Sequence, residues 1–211
     1  MSSKEAGTTP PPDGESYASE IYEELGWALA AWGAIEAVMA MLFGTAVSFD
    51  RNERGARRAF WAVSSFDGKL AMLNEVIKEF DKDHLVVGDS RGEIPGKWAA
   101  LYKQLRKRKR VRNKLAHGVV RGMEWSRGGS KEKKSDVFFL PYGNSYDDTN
   151  APIIKSESDL SQHLRDPRPP NRMRKADIVQ ARHHFHEIEK DLEEFHQLIV
   201  AAMRRLEDPS E

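Results

Sequence analysis

Residues 21–43 read IYEELGWALAAWGAIEAVMAMLF and indicate the fold class more directly than any other part of the chain. Apolar residues recur at alternating spacings of four and three, which is the pattern of a helix packed lengthwise against other helices. They are Ile21, Leu25, Ala28, Trp32, Ile35, Met39 and Leu42. A second stripe lies beside them and consists of Trp27, Ala31, Ala34, Val38 and Met41. The two stripes predict a helix over residues 16–43 that is buried on two sides.

One carboxylate, that of Glu36, interrupts this apolar helix. It is the only charge between Leu25 and Phe49, so the segment also has the length of a membrane span, for which ~20 apolar residues suffice. The alanine and glycine content, the central carboxylate and the lack of a basic flank favour a core helix instead. A carboxylate there needs a partner, a water-lined cavity or a proton. Two interpretations of Glu36 remain: a solvated gap between the stripes, or a buried ion-paired or functional role.

The same spacing predicts three further long helices. The second covers residues 52–80, with Asp50 and Glu53 at the N-cap and N3 positions. The third covers residues 97–116, and the last covers residues 175–206. The sequence therefore predicts an all-α fold, a bundle of four long helices with a small β-hairpin insertion after the third helix.

The hairpin is predicted where the helical spacing ends. Residues 119–142 alternate in the manner of two short strands around a polar loop. Residues 143–171 are rich in proline and predict a loop segment. Residues 1–15 have no apolar run and predict a disordered tail without a signal peptide, which favours a cytoplasmic protein. One helical domain is predicted over residues 16–207.

Composition narrows the kinds of site that the chain can carry. Of 211 residues, 31% are charged, which fits a helical protein with solvated outer faces. Cysteine is absent, which excludes disulfides and thiolate metal sites. On the last predicted helix, His183 and Glu187 are spaced to share a metal ion, but two ligands are too few. No metal site is predicted, and a solvated face is favoured there.

Positive charge is concentrated in the third predicted helix, although the net charge of the chain is zero. No acidic residue lies between Glu93 and Glu124, and residues 103–114 contain eight Lys and Arg. Such a local field attracts polyanions, although a solvated surface is the simpler interpretation. The residues predicted to bind a phosphate backbone are Lys103, Arg106, Lys107, Lys109, Arg110, Lys114 and Arg121.

Residues 112–118 read RNKLAHG and end this helix, with Gly118 placed just past it. The apolar stripe of the helix continues to Arg112, which is therefore predicted to face the core. At ~100° per residue, Asn113 and His117 share a face and Arg112 borders it. Arg and His near a helix C-terminus also interact favourably with the helix dipole, so a capping role is the alternative.

The string RNKLAH resembles the R-x4-6-H motif of the HEPN superfamily, with four intervening residues and an Asn directly after the Arg. Its position is also similar, late in a long helix of an all-helical chain, over roughly residues 16–207. The resemblance implies a helical bundle that forms a homodimer and brings two copies of the motif into one cleft. It further implies a metal-independent endoribonuclease of toxin–antitoxin or defence systems, or an inactive relative that serves as a binding module.

The residue types suit that chemistry on physical grounds. Metal-free RNA cleavage needs a group that moves protons near neutral pH, which predicts His117 as a catalytic residue. The guanidinium of Arg112 is predicted to stabilise the phosphorane, and Asn113 to orient the imidazole or bind a phosphate oxygen. Glu36 is the candidate partner of Arg112, expected to hold the guanidinium in place rather than to contact the RNA.

The leading hypothesis is therefore a HEPN-like ribonuclease that acts on RNA as a homodimer and needs no cofactor. An antitoxin or another regulatory protein is a further expected partner, and no membrane is involved. The alternatives are an inactive module that binds RNA or a protein, and a helical adaptor in which Arg112 and His117 are only caps.

Overall fold

The computed structural model describes residues 13–48, 52–84, 93–126, 133–141 and 172–207. Within them the chain is mostly helical, with one small antiparallel hairpin, as predicted. The elements are α1 Asp13–Ser48, α2 Glu53–Ala62, α3 Phe66–His84, α4 Glu93–Ala116, β1 Val119–Ser126, β2 Lys133–Leu140 and α5 Lys175–Glu207. α4 ends at the predicted residue but begins at Glu93 rather than at Lys97, and α5 ends at Glu207 rather than at Leu206, whereas α1 is longer at both ends than predicted. The loop predicted over residues 143–171 lies outside the described residues, as does most of the predicted tail.

The predicted second helix was wrong, because the chain forms two helices there. α2 ends at Ala62, and Val63 is extended, with φ −76° and ψ 114°. The Ser65 hydroxyl then accepts a hydrogen bond from the Gly68 amide at 3.0 Å, which caps α3. The N-cap of α2 is Asn52, whose side chain accepts from the Gly55 amide at 3.1 Å. The predicted cap, Asp50, lies outside the described residues.

The chain divides into two compact units, each of which takes part of α1, α4 and α5. One consists of Met1–Trp27 with Asn113–Gln180, and the other of Ala28–Arg112 with Ala181–Glu211. We refer to them as the hairpin unit and the helical unit. A single domain over residues 16–207 stays a prediction.

Aromatic side chains organise the core of the helical unit. The Trp32 ring lies 4.9 Å from Phe66 and 5.1 Å, edge-on, from Phe185, measured between ring centroids. Trp98 of α4 stacks on Phe195 of α5 at 5.6 Å. These contacts join α1, α3, α4 and α5 through residues that the three-four spacing places on apolar stripes.

The two predicted stripes of α1 are not equally buried. The first is buried from Ala28 to Leu42, but Trp27 of the second is 57% exposed. Among the described helices, α1 alone has the length and composition that a membrane span would need. Ile35 and Leu42 are nevertheless fully buried in the protein, which favours the interpretation as a core helix.

The hairpin unit is built around Phe139. β1 and β2 pair antiparallel with Val119 opposite Leu140, and the backbone of Phe139 also exchanges two hydrogen bonds with Met173, at 2.9 and 2.8 Å. A Cβ added to Gly118 would lie 2.0 Å from Cζ of Phe139, so only glycine fits where the chain turns from α4 into β1. Both strands fall within the insertion predicted over residues 119–142.

Candidate functional site

α4 carries most of the predicted site residues, and most of its exposed cations lie opposite its buried apolar residues. Its buried residues are Ile94, Trp98, Leu101, Leu105 and Leu115. The Trp98 indole donates a hydrogen bond to Oδ1 of Asn74 at 3.1 Å, which fixes the helix against α3. Lys103, Arg106, Lys107, Arg110 and Lys114 lie on the opposite, exposed side of α4, whereas Arg108 and Arg112 are half-buried beside the apolar residues.

A cleft of about 640 Å³ lies along this charged side, within the helical unit. We call it the α4 cleft; its lining residues are Asp67, Tyr102, Lys103, Arg106, Lys107, Lys109 and Arg110. Five of them belong to the seven residues predicted to bind phosphates. The other two of those seven, Lys114 and Arg121, are exposed in the hairpin unit.

Two residues of the α4 cleft were not predicted. The carboxylate of Asp67, which reaches the cleft from α3, forms an ion pair with Lys109. The Tyr102 ring lies 6.0 Å from the Arg106 guanidinium and 6.2 Å from the Trp98 ring. Tyr102 was detectable from the sequence, since it is four residues from each of these neighbours. Asp67 was not, because its position depends on how α3 packs.

The motif residues Arg112, Asn113 and His117 come directly after the residues of α4 that line this cleft. Arg112 is half-buried, whereas Asn113 and His117 are exposed, as expected for two residues that share a face. α4 ends at Ala116, and His117 stands in the turn that follows it. Arg112 falls in the helical unit, and Asn113 and His117 fall in the hairpin unit. The burial of each of these side chains is therefore described within its own unit. The catalytic roles of the three residues stay a prediction.

Glu36 is ion-paired and largely buried, which answers the question that the sequence left open. Its Oε2 accepts a hydrogen bond from the Lys69 ammonium at 2.6 Å, and its Oε1 accepts from the Trp32 indole at 3.0 Å. Lys69 was missed, although it lies three residues after Phe66 on the apolar face of α3. The interaction of Glu36 with Arg112 stays a prediction.

A second polar cluster in the helical unit joins the end of α1 to α2 and α5. The Thr45 hydroxyl lies 2.9 Å from Nε2 of His196 and 3.5 Å from the Glu53 carboxylate, which also pairs with Arg57. Burial lowers the pKa of His196, the Glu53 charge raises it and the Arg57 charge lowers it further. No sequence signal indicated this cluster, because Thr45 and His196 are 151 residues apart.

Two histidines of α5, His184 and His186, pair with carboxylates one turn away. His184 lies 3.0 Å from Glu187, and His186 lies 3.1 Å from Glu189. The hydrogen bond from His184 holds the pKa of the Glu187 carboxyl below its usual value. Among the residues that the structure describes, no group of three or more His, Cys, Asp or Glu could hold a metal ion.

In comparisons with known proteins, no family model matches the chain, and neither a curated protein nor a solved structure matches it.

Proposed function

We propose that this protein is a metal-independent endoribonuclease of HEPN type that cleaves RNA by 2′-hydroxyl attack. One observation supports the proposal above the others. The exposed His117 follows directly on a helix whose preceding turns line a cleft with five cations. In our proposal a phosphate backbone held by these cations is the substrate on which a proton-transferring group such as His117 acts.

The reaction uses few groups. The ribose 2′-oxygen loses its proton and bonds to phosphorus, and the bond from phosphorus to the 5′-oxygen breaks. The departing 5′-oxygen takes up a proton, which leaves a 2′,3′-cyclic phosphate and a 5′-hydroxyl. In our proposal His117 transfers protons, Arg112 stabilises the charge that develops on the phosphate, and Asn113 orients the imidazole or binds a phosphate oxygen.

Two proton transfers at opposite sides of one phosphate suit two imidazoles better than one. For this reason we propose that the protein acts as a homodimer, in which each bundle contributes one copy of the motif to a composite site. A toxin or defence role in the cytoplasm, controlled by an antitoxin or another regulatory protein, belongs to the same proposal.

The test is RNA cleavage in the presence of EDTA by the wild-type chain and by His117→Ala. We expect the substitution to slow cleavage by about 10²–10⁴-fold, the usual contribution of a general acid or base. His186→Ala is the matched control, since it removes an exposed histidine of α5 that pairs with Glu189. Mass spectrometry of the wild-type products should find cyclic phosphate ends. Equal cleavage by wild type and His117→Ala would refute the catalytic role.

The α4 cleft also supports a second candidate, an inactive module that binds RNA. Its cations do not depend on the motif, so binding would survive the loss of His117. RNA binding by the wild type without cleavage in any buffer would favour this module over the enzyme.

A further inference from the structure

We propose that the α4 cleft is a single-stranded RNA site, in which an unpaired base stacks on Tyr102 and the flanking phosphates bind the surrounding cations. The inference rests on the proposed function only in that it takes RNA as the ligand. It does not require that the protein cleave RNA.

Four of the five cations of the α4 cleft form one continuous face. Lys103, Arg106, Lys107 and Arg110 are spaced as i, i+3, i+4 and i+7, and all four are exposed. Residues at these spacings lie on the same side of a helix and extend ~10 Å along its axis. No carboxylate of α4 lies on this face, because Glu93 is the only acidic residue of the helix. The face therefore suits a short run of consecutive phosphates.

Tyr102 is held rigidly enough to act as a stacking platform. Its ring is half-buried beside Trp98, which is itself fixed by Asn74 and by stacking on Phe195. The Arg106 guanidinium lies above the Tyr102 ring. Proteins that bind single strands combine such aromatic faces with a cationic groove, because every unpaired base offers a flat face of its own.

This arrangement distinguishes a single strand from a duplex and from an acidic protein. Bases in a duplex are already stacked on each other and present no face to a side chain in a groove. An acidic peptide would bind the cations but would gain nothing from an aromatic ring beside them. The half-exposed Tyr102 among cations thus favours a ligand that has both phosphates and unpaired bases.

Asp67 gives the site a built-in competitor. Its carboxylate is 67% exposed and pairs with Lys109, whose side chain is 26% exposed. A phosphate that binds Lys109 competes with this carboxylate for the ammonium group. Removal of the Asp67 charge should therefore tighten RNA binding and add about one phosphate contact to its salt dependence.

The experiment measures fluorescence anisotropy of a labelled oligoadenylate in a His117→Ala background, so that cleavage cannot distort binding. Tyr102→Ala should weaken binding by about 5- to 100-fold, and Tyr102→Phe should retain it. Tyr102→Leu fills the same space without a π face and should behave like Tyr102→Ala. Tyr22→Ala, which removes a tyrosine 58% exposed on α1, should bind like the parent. Circular dichroism verifies that each variant is folded.

Asp67→Asn tests the site without a change in its aromatic ring and should raise affinity for the oligoadenylate. A duplex RNA and polyglutamate serve as competing ligands and should bind more weakly than the single strand.

Equal binding of duplex, or tight binding of polyglutamate, would overturn the proposal, as would unchanged affinity in both Tyr102→Ala and Tyr102→Leu. Absence of any RNA binding would also overturn it. If the wild type cleaves RNA but the Tyr102 variants bind it with unchanged affinity, the proposed function remains and only this inference is refuted. If the Tyr102 variants lose affinity but the wild type cleaves no RNA, this inference remains and the proposed ribonuclease function is refuted.

Discussion

Two lysine–carboxylate pairs in the helical unit have the same chemistry and different surroundings. The side chains of Lys69 and Glu36 are 8% and 13% exposed, and the Lys69 ammonium lies 4.4 Å from the Trp61 ring centroid. The side chains of Lys109 and Asp67 are 26% and 67% exposed at the α4 cleft. A buried charge that loses its partner cannot turn to water, whereas an exposed one can exchange its partner freely. The first pair is therefore a fixed part of the fold, and the second is available to a ligand.

The largest expected effect comes from the buried pair. Lys69→Met leaves the Glu36 carboxylate without its ion-pair partner, and we expect a loss of about 3–5 kcal/mol in the free energy of unfolding. Urea denaturation followed by circular dichroism measures it. The double variant Lys69→Met with Glu36→Leu removes both charges and should recover most of the loss. A loss below about 1 kcal/mol in the single variant would show that the two pairs do not differ as described.

The half-buried His196 lies between the two pairs in its degree of burial. Its contribution to the free energy of unfolding depends on pH. Burial holds its pKa in the folded protein below the ordinary value of 6.5. The unfolded chain therefore takes up this proton first. The contribution of neutral His196 to stability is present above pH 6.5 and is lost as the pH falls through the folded-state pKa.

We expect the urea midpoint to fall less between about pH 7 and about pH 5 in His196→Gln than in the wild type, because the variant lacks this titration. Thr45→Val removes the hydroxyl that contacts His196 and should cost about 1 kcal/mol at neutral pH. Identical pH profiles for wild type and His196→Gln would contradict the assigned role of burial.

The smallest effect on stability is expected at the α4 cleft. Asp67→Asn breaks the exposed pair with Lys109 and should change the free energy of unfolding by less than about 1 kcal/mol. Lys109→Gln removes the other partner and should have an equally small effect on urea denaturation. A loss comparable to that of Lys69→Met would place this pair in the fold rather than at the ligand site.

The sequence predicted the helices well because their packing repeats a local spacing. It missed the break between α2 and α3 for the same reason. Val63 and Phe66 continue the three-four spacing across the break. The apolar pattern therefore gives no sign that Ser65 caps a new helix there. The spacing also did not report burial around this break, since Phe60 is fully buried while Val63 and Phe66 are only half-buried.

The sequence predicted those features of the candidate site that depend on the geometry of α4 alone. The cations of the α4 cleft and the exposed Asn113 and His117 follow from helical geometry alone. Asp67 depends on tertiary packing, and so does the choice of Lys69 as the ion-pair partner of Glu36. A charge on an apolar stripe indicates that a partner exists, but it does not identify the partner.

The contact between Gly118 and Phe139 limits how this chain can vary. Any side chain at position 118 would collide with the Phe139 ring. The backbone of Phe139 is in turn hydrogen-bonded to Met173. A helical turn inserted at the end of α4 would have to displace the hairpin that follows. We therefore expect insertions and deletions to be poorly tolerated at this junction, because the close approach of Gly118 to Phe139 restricts the residue between His117 and β1.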